Sequence, residues 1–97
     1  MFTTHVVLVS WHAGAAERAE QEIRPAIAAF GTTIPDVLGV VEGHSTSSEG
    51  LEGGFDYGFV VTFASAQARD TYLDHPAHLP VAGAIQAAAE RIVVFDL

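Results

Sequence analysis

The sequence predicts an α+β domain, a four-stranded antiparallel sheet with helices on one of its faces, and three observations predict it. Four short stretches, residues 4–12, 37–44, 55–63 and 91–97, are dense in β-branched and aromatic residues. Between them lie segments whose apolar residues recur at spacings of three and four, the period of a half-buried helix. The chain has 97 residues, 49% of them hydrophobic, with a positive mean hydropathy. One domain over residues 1–97 is expected, and a monomer of that size buries only about 60–65% of the surface its unfolded chain exposes. Part of the apolar surface is therefore expected to go to a partner.

The first strand, residues 4–12 (THVVLVSWH), is apolar on both faces: His5, Val7, Val9 and Trp11 on one, Val6, Leu8 and Ser10 on the other. Such a strand is covered on both sides. Residues 15–30 then place Ala19, Ile23, Ile27, Phe30 and Ile34 on one helical stripe, with Glu17, Arg18, Glu20 and Arg24 opposite. Pro25 lies inside this pattern and lacks an N–H, so a kink is expected there, with the stripe keeping its phase. Pro35 and Asp36 make a turn into a second strand over residues 37–44.

Residues 45–54 (STSSEGLEGG) read as a solvated loop, and Glu42, Glu49 and Glu52 argue against a phosphate cradle. Residues 55–63 alternate, with Phe55, Tyr57, Phe59, Val61 and Phe63 on one face of a third strand. Ser65 is a candidate N-cap for a helix to about Leu73. Pro76 pushes His75 toward an extended conformation and opens a second helix over 77–90, with Pro80 in its first turn. Leu79, Val81 or Ala82, Ile85, and Ala88 or Ala89 are expected to face inward. Residues 91–97 form a last strand, apolar on both faces.

This order is the split βαβ plan of a ferredoxin-like βαββαβ fold. With helices on one face only, the face holding Val6 and Leu8 is too apolar to stay wet. Two such sheets packed across a two-fold axis, a homodimer closing a dimeric α/β barrel, are the economical solution.

A net charge of −8, from four Arg, no Lys and twelve acidic residues, argues against nucleic acid as a partner, since phosphate contacts need cations. The lack of cysteine removes disulfides, thiol chemistry and thiolate metal sites. No basic leader and no 18-residue apolar run is present, so no membrane partner and a cytoplasmic location are expected.

Candidate chemistry concentrates in residues 72–78 (YLDHPAH), a phenol and two imidazoles around a helix-breaking proline. His78 is a candidate general base, because imidazole titrates near neutrality; the alternative is a helix-start histidine bonded to the backbone. Tyr72 lies six residues earlier, and the intervening break can bring both side chains to one cavity, where the phenol would donate to a substrate oxygen. The alternative is a half-buried tyrosine with its hydroxyl at the surface. His5 is a lone histidine on an apolar face, either a pocket-wall group or a core histidine satisfied by a carbonyl. His75 and His78 are separated by a helix break, so no metal site is expected. His12 and His44 read as exposed strand ends, and Asp96 as a strand-end residue bonding the dimer partner.

The YLDHPAH segment, framed by FDYGFVVTFAS (residues 55–65) and RIVVFDL (residues 91–97), resembles the stress-responsive A/B barrel (Dabb) family of small dimeric ferredoxin-like proteins. Some members are cofactor-free cyclases of polyketide chains; others have only a structural or stress-linked description. The resemblance implies a homodimer and no cofactor. It implies His78 as the base, Tyr72 as the stabiliser of an enolate oxygen, and His5 as a pocket-wall residue beside the base. It also implies an apolar cavity lined by Val7, Val9, Ile23, Ile27, Phe59, Ile92 and Val94, the usual character of a small-molecule site. The chain departs from the cyclase pattern where aromatic residues line that cavity, having Ile23, Arg24, Ile27 and Ala89 instead, which implies either a ligand of different shape or no substrate at all. Three readings follow. The first is a protein that binds an apolar carbonyl-bearing small molecule, with polyketide-type cyclisation as its activity. The others are a non-catalytic stress-associated or small-molecule-binding protein and a cofactor-free monooxygenase.

Overall fold

In the computed structural model, which describes residues 1–97, β1 (Thr3–Trp11) lies between β3 (Tyr57–Phe63) and β4 (Ala89–Asp96), and β2 (Val37–His44) flanks β3. All pairings are antiparallel and the order is β2-β3-β1-β4. This is the expected α+β ferredoxin-like fold, with its helices gathered on one face. No helix is long and apolar enough to cross a membrane.

The predicted helical stripe is the centre of the core. Ala19, Ile23, Ile27, Phe30 and Ile34 are all buried, and the last four share one core cluster with Val7, Val9, Tyr57, Phe59, Val61 and Phe63 of the sheet. Each large side chain buried in this way contributes about 1.5–3 kcal/mol. The first helical region comprises α1 (Ala16–Arg18), a π-helical turn (Ala19–Ile23), α2 (Arg24–Ala28) and, past Ala29, α3 (Phe30–Thr33). Pro25 is thus accommodated by a π turn: the Arg24 N–H reaches back five residues to the Ala19 carbonyl, and the widened turn absorbs the N–H that proline lacks.

The strand over residues 37–44 stands as expected, while the third strand begins at Tyr57 rather than Phe55. Gly53 and Gly54 adopt positive φ (65° and 90°), and the Phe55 ring instead lies under the Arg91 guanidinium, 4.4 Å from its centroid. Arg91 also donates to the Gly53 carbonyl at 2.7 Å, which pins the loop to β4.

Ser65 caps α4 (Ala66–Leu73), its Oγ accepting from the Ala68 N–H at 3.1 Å. The chain then turns tightly, with the His78 N–H donating to the His75 carbonyl at 2.9 Å and the Ala77 N–H to His75 Nδ1 at 3.0 Å. α5 (Leu79–Ala88) follows, shorter than expected at both ends. Ala89 and Glu90 belong to β4, where Ala89 pairs with Trp11 past a register shift. Leu79, expected inward, is 54% exposed in the first turn; Ile85 and Ala88 carry the buried stripe.

The opposite sheet face is uncovered and apolar. Leu38, Val41, Val93, Phe95 and Leu97 are all exposed there, with Phe95 paired to Val6 and Val93 to Leu8. On the helix side, Ile92 and Val94 pair with Val9 and Val7 yet remain exposed. The helices stop short of this edge strand, and that leaves a cleft.

Candidate functional site

The cleft lies at the sheet end where β1 begins and β4 finishes, under α4 and α5, with a volume of about 420 Å³, within the usual range for a small-molecule site. His5 enters it from the helix-facing side of β1. Its register partner is Asp96, and the adjacent Thr4–Leu97 pair exchanges both backbone hydrogen bonds, at 2.9 and 2.8 Å. His5 and Asp96 therefore form a non-hydrogen-bonded pair, the kind whose side chains stand closest.

His5 Nδ1 donates to Asp96 Oδ1 at 2.7 Å. Arg69, on α4, donates through Nη1 to Asp96 Oδ2 at 2.5 Å and through Nε to Asp70 at 2.9 Å. Burial works against the Asp96 charge, but the hydrogen bonds from Arg69 and His5 outweigh it and hold the carboxyl below the usual carboxylate range. An ionised carboxylate only accepts, so Nδ1 carries the proton shared with Asp96, and the tautomer that leaves a lone pair on this ring places it on Nε2.

His78 reaches the same tautomer by another route. It sits at the N-cap of α5, and its Nδ1 donates to the Leu73 carbonyl at 3.0 Å, again an acceptor only. Burial pushes the His78 pKa below its ordinary value, outweighing the carbonyl's contribution. The ring is neutral at neutral pH, with its basic nitrogen free. Neither Nε2 is sealed off, because the only buried side-chain nitrogen or oxygen without a partner is the Tyr72 hydroxyl.

Tyr72 stands between these groups but not in the cleft wall. Its ring centroid is 4.3 Å from that of His78 and 5.8 Å from that of His5, with Phe63 at 4.9 Å and Phe30 edge-on at 5.5 Å. Burial raises its pKa far above the ordinary phenol value, so the hydroxyl keeps its proton and remains a donor.

Four of the expected apolar residues, Val7, Phe59, Ile92 and Val94, line the cleft. Val9, Ile23 and Ile27 do not: all three are packed core, because the first helical region comes down flush on the sheet and leaves no space above them. Arg24 is also remote from the cleft. It donates to Glu42 at 2.8 Å and Glu20 at 2.7 Å, and Glu42 accepts from the Tyr57 hydroxyl at 2.9 Å. The hydrogen bond from Arg24 holds the Glu42 carboxyl low against the effect of burial. His44 is the exposed strand-end residue expected and bonds Glu20 at 2.7 Å in the same network.

Sequence reasoning missed Arg69, Asp70, Leu73, Ala82, Ile85 and Gln86 as cleft residues. It also misjudged Asp96, which bonds His5 and Arg69 of its own chain. Ile85 carried a signal, being on the inward stripe of α5; Arg69 and Asp70 carried none, since exposed charges on a short helix are ordinary. No three His, Asp or Glu side chains converge in a metal-binding arrangement. A larger hollow of about 730 Å³ opens at the other end of the sheet, but most of its lining residues are exposed, so it is a solvent-facing dish.

The chain is 28% identical over 92 residues to the stress-response A/B barrel domain-containing protein HS1 of Arabidopsis thaliana, which covers 95% of this chain and 84% of that protein. A dimeric ferredoxin-like protein of unknown function from Jannaschia sp. CCS1 superposes with a TM-score of 0.89 at 24% identity, covering 100% of this chain and 98% of that one. The hydroxynitrile lyase of Passiflora edulis superposes with a TM-score of 0.89 at 19% identity, covering 99% and 91%. At such identities the two structures attest the fold alone. The model of the stress responsive A/B barrel domain, however, matches residues 3–97, and the chain belongs to that family.

Proposed function

We propose that this protein is a homodimer that binds an apolar, carbonyl-bearing small molecule in the cleft beneath α4 and α5, and that His78 acts there as the base of a cofactor-independent, ring-closing carbonyl reaction. The observation that carries the reading is the pairing of His78 Nδ1 with the Leu73 carbonyl, which leaves a neutral imidazole with its lone pair on Nε2 in a largely apolar cleft.

In this reading His78 Nε2 removes the proton from a carbon between two carbonyls. The resulting carbanion attacks a third, more distant carbonyl of the same molecule, forming the new carbon–carbon bond. The alkoxide so produced takes the proton back from His78, so the base is regenerated and nothing is oxidised or reduced. Folding the chain of the substrate into a shaped cavity supplies proximity, which is worth more here than a strong base. His5, held by Asp96, positions the polar end of the ligand. Tyr72 would donate to the developing oxyanion only when the ligand reaches past the His78 ring.

The dimer follows from the uncovered sheet face, whose Val41, Phe95 and Leu97 are 73%, 61% and 74% exposed. A contiguous apolar face of that kind is the usual mark of an interaction surface, and the dimeric state of the Jannaschia protein of the same fold supports the reading.

The test is a thermal-shift screen of wild type and His78→Gln against β-diketones and hydroxylated quinones. Ligand stabilisation of the wild type that weakens in the variant, with matched unliganded melting, is the expected result. No shift with any compound, together with a variant that is merely less stable, would leave His78 a packing residue and sink the reading.

A further inference from the structure

We infer that the cleft selects an uncharged ligand that donates a hydrogen bond, such as the enol of a 1,3-diketone, and turns away carboxylates and phosphates. The inference rests on the cleft being the binding site, and deepens that reading by naming the ligand's charge and hydrogen-bonding sense.

The protein has four arginines and no lysine, and none of them offers a free positive charge to the cleft. Arg18 bonds Glu22, and Arg24 bonds Glu20 and Glu42. Arg91 is spent on the Gly53 carbonyl and the Phe55 ring. Arg69 alone lines the cleft, and it is bracketed by Asp70 and Asp96. Of the permanently charged side chains in the wall, one guanidinium faces two carboxylates, within a chain whose net charge is −8 with histidines counted neutral. An anionic ligand entering this cleft meets like charge from Asp70 and Asp96 with no unpaired cation to offset it.

The start of α5 does not make up the difference. A helix N-terminus ordinarily attracts anions through its free N–H groups. Here the Leu79 N–H already donates to the His75 carbonyl at 3.1 Å and Pro80 has none to give, which leaves the Val81 N–H as the one donor without a backbone partner among the first three positions. His78, kept neutral by burial, adds no positive charge.

The hydrogen-bonding sense follows from the two tautomers. His5 and His78 each turn Nδ1 to a protein acceptor, so the tautomer matched to those acceptors presents its lone pair at Nε2. Two imidazole acceptors suit a ligand with an O–H to donate. A simple ketone, which only accepts, leaves both nitrogens unmatched; an enol satisfies one of them and keeps its carbonyl for the other polar groups.

The experiment is calorimetric titration at low ionic strength and pH 7 with three probes of one size: benzoylacetone, benzoylacetate and butyrophenone. Benzoylacetone is expected to bind at least about tenfold more tightly than benzoylacetate, a contrast that shrinks with added salt. Butyrophenone, which has the same skeleton without the enol, is expected to bind several-fold more weakly than the dione. Asp70→Asn, at an exposed position that does not carry the fold, is expected to narrow the dione-to-carboxylate ratio by about threefold. Equal or tighter binding of benzoylacetate, or an unchanged ratio in Asp70→Asn, overturns the charge filter while leaving the cleft a binding site. Butyrophenone binding as well as benzoylacetone overturns the hydrogen-bonding sense. Binding of none of the three removes the cleft reading itself, and this inference with it.

Discussion

Tyr72 lies against His78 with ring centroids 4.3 Å apart, yet its hydroxyl is fully buried and bonds to nothing. A buried hydroxyl without a partner costs about 1–3 kcal/mol, so the fold tolerates a local penalty beside His78, a half-buried ring of the cleft. His78 is the nearest of the rings around it, and only His78 and His5 among them also line the cleft.

Tyr72→Phe should therefore leave stability unchanged or raise it by about 1 kcal/mol, since the change removes an unsatisfied donor and little volume. Urea denaturation measures this directly. A loss of more than about 1 kcal/mol would show that the hydroxyl is bonded in solution. If the ligand reaches the hydroxyl, the same variant should also lose part of the ligand-induced thermal shift, a readout that packing alone does not move.

The pH dependence of stability carries the signature of His78. Its pKa in the folded protein is below the unfolded value of 6.5, so the unfolded chain binds the proton more readily. The resulting stability is fully present above pH 6.5 and is lost as pH falls through the folded pKa. Between pH 7 and 5 the melting temperature of the wild type should fall, and His78→Gln should show a shallower fall over the same window. Parallel slopes would mean that His78 titrates as freely when folded as when unfolded.

Asp96 has a depressed pKa as well, below its ordinary 3.8, so its contribution is present above that value and is lost only in stronger acid. Asp96→Asn should cost about 1–2 kcal/mol, since it weakens charge-assisted bonds to both His5 and Arg69. The more telling measurement is the nitrogen NMR spectrum of His5. Wild type should show the Nδ1–H tautomer, and the variant a mixture, because the amide can accept from or donate to the ring. A pure Nδ1–H signal in both would detach the tautomer of His5 from Asp96.

On the uncovered sheet face, Phe95→Glu should turn a dimer into a monomer by sedimentation, with the near-ultraviolet signature of the core retained, because Phe95 is 61% exposed and pairs with Val6 away from the helices. A wild type that sediments as a monomer would refute the proposed assembly.

At the far end of the sheet, Gly54→Ala should destabilise by about 1–2 kcal/mol. Gly54 has a φ of +90°, and an added Cβ would come within 2.5 Å of the Arg91 guanidinium. Unaltered stability by thermal denaturation would show that the loop is free to move away from Arg91.

The strands and the helical stripe were legible because they rest on local periodicity. Ala19, Ile23, Ile27, Phe30 and Ile34 announce a buried face whatever the rest of the chain does, and Ser65 announces a cap through its own hydroxyl. The π turn before Pro25 was harder, because several backbone adjustments answer a missing N–H and the sequence names only the need for one. His5, Tyr72 and His78 were legible as chemically unusual residues on their elements. Their division of labour was not, since Tyr72 and His78 lie on two sides of one wall and only the turn at Pro76 decides which side.

The sequence by itself determined the α+β class, the order of its elements, the apolar surplus that asks for a partner, and the histidines and tyrosine available for chemistry. These depend on residue type and on spacing along a few turns of chain. The tertiary structure alone decided that Asp96 stands opposite His5, that Arg69 is neutralised by Asp70 and Asp96, and that Val9, Ile23 and Ile27 are core while Ile92 and Val94 line a cleft. Those outcomes depend on strand register and on how far the helices extend over an edge strand. Both are set by contacts between residues as much as 91 positions apart, and no local pattern encodes a distance that only the folded chain creates.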